Sequence, residues 1–290
     1  MTPKPTRLWP DSATILERSK GVFFAQWDEV LRLRRAVIET SNLDDIHDLR
    51  VASRRFRAAL ELFYPLALKG SKTELRKNIR KLTRTLGGLR NVDEALLFFR
   101  SSAQAGDRVD ARLYHALSEL RKNEFKRIAK ALKAFDYCCL DRLVREMVAG
   151  VNDDSILKRN SISLLAYFSD ASIRQYLPIH RLLAGSTVPE HRASRHALRI
   201  AIKKWRYFFE IIATVLDRDY TPILELLKEY QSILGRMNDI VEFKVLLRNL
   251  KLPPDEREYT KVILLAEDKR LLESFTELVE RKPLGYAFLI

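Results

Sequence analysis

Apolar residues recur along almost the whole chain at spacings of three and four, the period of an α-helix with one buried face. Leu49, Phe56, Leu60 and Phe63, for example, fall within about 60° of arc when each residue is turned by the helical angle. The pattern breaks near Ser41 to Asp44, Pro65 to Ser71, Gly87-Gly88, Ala105-Gly106, Gly150 to Asp154, Gly185 to Pro189, Tyr220 to Pro222 and Leu252-Pro253-Pro254. Between these breaks lie helices of about 15 to 30 residues, so the pattern predicts an all-α chain. The few β-branched clusters, such as Val262-Ile263-Leu264-Leu265, sit inside the same helical period. Only 9 glycines and 10 prolines interrupt the 290 residues, and no stretch has the composition of a flexible linker.

The pattern also repeats. His-Asp-Leu-Arg-Val-Ala-Ser-Arg-Arg-Phe-Arg from His47 aligns with His-Ala-Leu-Arg-Ile-Ala-Ile-Lys-Lys-Trp-Arg from His196 at an offset of 149. That offset pairs His47 with His196, Arg50 with Arg199, Arg54 with Lys203, Arg55 with Lys204, Arg57 with Arg206 and Glu61 with Glu210. Further on, the Leu-Gly element at Leu86 matches that at Leu234. The expectation is an internal duplication in which residues 1–150 and 151–290 each form a helical bundle, related by pseudo-symmetry.

Each copy carries a cationic stripe. His47, Arg50, Arg54, Arg57 and Glu61 occupy an arc about 80° wide, nearly opposite Leu49, Phe56, Leu60 and Phe63. The second copy repeats the arrangement with His196, Arg199, Lys203, Arg206 and Glu210, and Arg192 extends it by a turn. Like charges at i,i+4 destabilise a helix, and a merely solvated face would alternate signs, so the stripes call for an anionic ligand. Two stripes facing each other would concentrate positive potential in a central groove or channel. Arg76, Arg80 and Arg84 make a second cationic face, with Lys228 at the position matching Arg80. Glu61 and Glu210 are placed to orient Arg57 and Arg206, and Tyr207 lies at the stripe edge, where it either caps a phosphate or packs at the bundle seam.

Composition narrows the partner. With 52 Lys and Arg against 38 Asp and Glu, the formal charge of +14 points to a polyanion. The only cysteines, Cys138 and Cys139, are neighbours and suggest no disulfide framework. The first 20 residues lack an apolar signal core, and no later run approaches the roughly 20 apolar residues of a membrane span, so a cytoplasmic address with no membrane partner is expected.

The two His-x-x-Arg-(Val/Ile)-x-x-(Arg/Lys)-(Arg/Lys) elements, the Arg206-Tyr207 to Glu210 continuation and Leu-Gly-x-x-Arg-Asn at Leu86 to Asn91 resemble the conserved histidine α-helical domain, or CHAD, family. The resemblance runs over nearly the whole chain. It implies a pair of pseudo-symmetric helical bundles whose basic inner surface binds inorganic polyphosphate, in proteins found at polyphosphate granules. Where the family has Arg-Asp after Leu-Gly, this chain has Arg90-Asn91 and Asn238-Asp239, which leaves Arg90 without a cationic counterpart.

Polyphosphate suits such a surface because it carries charge at every unit and offers no base to read. Arg presents a planar fork to two oxygens and Lys a rotatable point charge. A metal-dependent phosphohydrolase is the enzyme alternative, suggested by His47-Asp48, but Asp48 aligns with Ala197 and no metal-ligand spacing supports it. The glycine-rich phosphate loop of nucleotide hydrolases is missing too. A non-catalytic binding module without cofactor is therefore expected. Nucleic acid is the closer alternative partner, but Phe56 and Trp205 fall on the apolar face instead of forming stacking platforms. A role in recruiting partner proteins to a granule is compatible with such binding.

Overall fold

The computed structural model describes residues 9–40, 43–63, 65–66, 72–102, 108–150 and 163–288, and among these residues there is no β-strand. Helix α1 (Ser12–Thr40) buries Phe23, Trp27, Val30 and Leu33, and packs along α2 (Leu43–Phe63). Helices α3 (Lys72–Thr85), α4 (Gly87–Ser102), α5 (Arg108–Lys133) and α6 (Tyr137–Ala149) follow. After α7 (Leu164–Leu183) a single 3-10 turn leads into α8 (Arg192–Leu216), then α9 (Thr221–Arg248) and α10 (Pro254–Arg281).

The break expected at Gly87-Gly88 lies one residue earlier, at Leu86, and the glycine pair opens α4. Gly88 lies under α5, where a Cβ would oblige the ends of the Glu124 and Arg127 side chains to shift. Arg127 in turn donates to the Thr85 carbonyl at 3.3 Å and so closes the end of α3. A further break, at residues 134–136, was not anticipated. Its signal was Asp136, whose carboxylate accepts from the Cys139 N–H at 3.0 Å and caps α6. The expected junction at Gly150 to Asp154 falls almost wholly outside the described residues, as do Ala105-Gly106, Ser41 and most of Pro65 to Ser71.

One aromatic layer joins the helices. Phe56 lies 5.0 Å from Phe23 and 5.0 Å from Trp27, and Phe63 reaches Phe168 of α7 at 6.4 Å. From α8, Trp205 stacks at 5.1 Å on Tyr176 and 5.0 Å from Phe209, and its Nε1–H donates to Ser172. Phe56 and Trp205 are both 0% exposed, and burying each such side chain contributes about 1.5–3 kcal/mol. That burial fixes the rotation of α2 and α8. Their cationic stripes must then point away from the core, and because α2 packs on α8 and α4 on α9, both stripes are directed toward the seams between these helices.

Candidate anion-binding site

A cavity of about 580 Å³ opens at these seams. Helix α2 supplies Arg50, Arg54 and Arg57 to its lining, and α3 adds Arg80, Thr83 and Arg84. Gly87 and Gly88 give it a floor without side chains, next to Arg90 and Asn91 of α4. The opposite wall comes from His196 and Arg199 of α8 and from Asn238, Asp239 and Glu242 of α9.

Electrostatic strain is concentrated where cations meet out of water. Arg50 is 6% exposed, and burial with the charges of Arg54 and Arg90 pushes its pKa down to about 9. Burial likewise lowers Arg54, Arg57 and Arg199 below the usual guanidinium range. Lys203 is affected most. Burial, then Arg199, Arg54, Arg50 and Arg90, push its ammonium down to about 6. Arg50 and Arg199 each have a buried Nε with no hydrogen-bond partner, a costly state.

Other contacts hold the cluster in place. Tyr207 offers its phenolic oxygen to Arg54 and also favours the charged form of Arg50. The His196 ring sits with Nδ1 2.9 Å from Asn238 Oδ1, and because that oxygen only accepts, Nδ1 carries the proton.

The CHAD domain family matches residues 21–248, a span that includes both His-led elements and both Leu-Gly elements. The chain belongs to the CHAD family. A crystal structure of the CHAD domain from the plant Ricinus communis superposes with a TM-score of 0.75 at 24% identity, covering 98% of this chain and 97% of that one. PptA from Streptomyces chartreusis superposes with a TM-score of 0.70 at 16% identity, covering 94% and 100% respectively. These structures establish the fold. Among curated proteins, none matches the chain.

In this CHAD domain the cavity brings together Arg50, Arg54, Arg57, Arg80, Arg84, Arg90, His196 and Arg199, all anticipated from the sequence. Lys203 lies beside them, within reach of the charges of four of these arginines. The other anticipated residues stand elsewhere. Arg192 is bonded to Asp268 of α10 at 2.8 Å, while Arg206 is held by Glu210 at 2.9 Å and by Gln231 at 3.0 Å. Arg55 also bonds Glu210, at 3.1 Å, so that one carboxylate ties α2 to α8. His47, Lys204 and Lys228 are exposed and do not line the cavity.

Glu210 orients Arg206 as expected, but Glu61 turns elsewhere. Its oxygens accept from Arg76 at 2.9 and 2.8 Å and from Arg80 at 3.3 Å, because α3 brings both guanidinium groups across to it. Burial alone would raise its pKa, but the Arg76 bond and the charges of Arg76, Arg80 and Arg57 hold Glu61 below the usual glutamate range.

Sequence reasoning missed the acidic wall. Asp239 grips Arg90 with contacts of 3.1 and 3.4 Å, Glu94 takes the same guanidinium at 3.0 Å, and Glu242 accepts from Asn91 at 3.0 Å. The signal was the run Asn238-Asp239 and Glu242 on one face of α9. It also missed Arg195, 6% exposed, which donates to the carbonyls of Ser186, Val188 and Pro189 at 3.2, 2.6 and 2.7 Å. This buried cation staples the turn before α8 and thereby sets the first turn that carries His196.

Proposed function

We propose that this CHAD domain binds inorganic polyphosphate, or another phosphate-rich polyanion, in the cavity bounded by α2, α3, α4, α8 and α9, and does so without catalysis. The observation that carries the reading is the convergence of Arg50, Arg54, Arg57, Arg80, Arg84, Arg90 and Arg199 on one cavity, where burial and mutual repulsion lower the proton affinities of Arg50, Arg54 and Arg199. Phosphate oxygens complete such donors with charge-assisted bonds, stronger than neutral ones. The matching stripes of α2 and α8 support an internal duplication in which both copies contribute to one composite site. Arg54 from the first copy acts directly on Lys203 and Arg199 from the second. The reading places the domain in the cytoplasm, recruited to polyphosphate granules by its ligand.

Among the described residues no group of three or more His, Cys, Asp and Glu could hold a metal ion. Nor does any helix among them have the length and apolarity to cross a membrane. The test is binding to long-chain polyphosphate, duplex DNA and ATP at several salt concentrations. Polyphosphate should bind tightest, with affinity falling steeply with salt as counterions are released. Equal or tighter binding of duplex DNA at physiological salt would overturn the reading.

A further inference from the structure

Asp239 stands out in the cavity because it is an anion, 7% exposed, lining a pocket crowded with arginines. Its two oxygens face the two terminal nitrogens of Arg90 at 3.1 and 3.4 Å, the forked geometry in which a guanidinium also takes a phosphate. Asp239 is also the leading favourable charge acting on Arg199, whose Nε has no partner. Two cations of the pocket, Arg90 and Arg199, thus share the charge of one buried carboxylate.

Resting on the reading of the cavity as a polyanion site, we propose that Asp239 is a built-in counter-anion that occupies a phosphate position beside Arg90 and Arg199, and that a polyanion binds there by displacing it. An intramolecular carboxylate competes at high effective concentration, so a small free anion is held off. A chain already anchored on Arg50, Arg54 and Arg57 presents its next phosphate at a comparable effective concentration and can take the position. Asp239 therefore favours polymer over isolated phosphate, at some cost in affinity for both.

The test is Asp239→Asn, a near-isosteric change that keeps a hydrogen-bond acceptor but removes the charge. Long-chain polyphosphate should bind about tenfold more tightly, the size of one close charge pair at a partly desolvated interface, and orthophosphate should gain by a larger factor, so that the preference for polymer narrows. The slope of log affinity against log salt should steepen by about one, because the variant leaves no displaced carboxylate to take up a counterion when the phosphate moves in. Weaker binding with an unchanged slope would make Asp239 a positioning residue and overturn the inference, as would no change at all. Arg54→Glu is measured alongside: if the wild type binds and Arg54→Glu does not, the site stands and Asp239 alone is on trial. A wild type that does not bind polyphosphate overturns both. In the unsubstituted protein, the carboxyl carbon resonance of Asp239 should move on saturation with polyphosphate; a resonance that stays put refutes displacement even if Asp239→Asn fails to fold.

Discussion

Lys203 offers the most exacting test of the electrostatics. Its amine is driven from the usual 10.5 to about 6 by burial and by four neighbouring guanidinium groups, so at pH 7 only about a tenth of free molecules carry that proton. A bound polyphosphate supplies the missing counter-charge and restores the proton. Binding at pH 7 should then take up about 0.9 proton at this site, and affinity should fall nearly tenfold for each pH unit between about 6 and 8. The assay is isothermal titration calorimetry in buffers of different ionisation enthalpy, with Lys203→Met as the comparison. The variant should bind with a much flatter pH profile, and its proton uptake should drop by nearly one. Proton uptake near zero in the wild type, with affinity independent of pH, would show that Lys203 is charged in the free protein and refute the reasoning.

The same displacement bears on stability, with a definite sign. Because the folded pKa lies below the unfolded one, the unfolded chain binds the extra proton between pH 6 and 10.5. Stability therefore rises with pH across that window and is lost as pH falls toward 6. Lys203→Met removes the penalty and should stabilise the ligand-free protein by about 3 kcal/mol at pH 7. The full displacement would give about 5 kcal/mol, discounted because the side chain keeps some contact with water. A variant less stable than the wild type at pH 7 by chemical denaturation would contradict this account.

Arg54→Glu and Lys203→Glu should each weaken polyphosphate binding strongly and leave the helical circular dichroism intact; a composite site requires the double variant to deviate from the sum of the singles by more than the roughly 0.5 kcal/mol of independent positions. Strict additivity, with ligand stoichiometry halved in each single variant, would mean two separate sites. Trp205→Ala should cost about 3–5 kcal/mol of folding stability, since its ring is wholly buried between Tyr176 and Phe209, and a loss below 1 kcal/mol in denaturant titration would contradict that packing. Incubation with polyphosphate and Mg²⁺ or Mn²⁺ should release no phosphate above background, and turnover that disappears in His47→Ala would reverse the non-catalytic reading.

What was legible in the sequence followed from periodicity. The apolar positions at 49, 56, 60 and 63, and again at 198, 205 and 209, settle which way α2 and α8 face, because burying Phe56 and Trp205 leaves one orientation for the arginines. Spacing on one helix is silent about what another helix brings. Glu61 was assigned to Arg57 by i,i+4 geometry, yet α3 delivers Arg76 and Arg80 to it from outside that helix. Arg192 continues the stripe by angle but lies where α10 supplies Asp268. Asp239 was hidden for a related reason: a net charge of +14 draws attention to cations, and a carboxylate that neutralises them from a different helix leaves no periodic trace.

The division of cations by partner favours the cavity, rather than the basic surface in general, as the proposed site. Arg55, Arg76, Arg192 and Arg206 each have a carboxylate within hydrogen-bond reach, so their charge is already met and a ligand gains little there. Arg50, Arg54, Arg199 and Lys203 sit deeper, and their lowered proton affinities record unrelieved repulsion and desolvation. The free protein is less stable by that repulsion, and a polyanion that removes it should raise the melting temperature with increasing ligand concentration, because it binds the folded cluster and not the dispersed charges of the unfolded chain. Ligand affinity and folded stability are thus coupled through the same few side chains. A substitution that relieves repulsion without ligand, such as Lys203→Met, should raise the starting melting temperature and shrink the further rise on adding polyphosphate at pH 7.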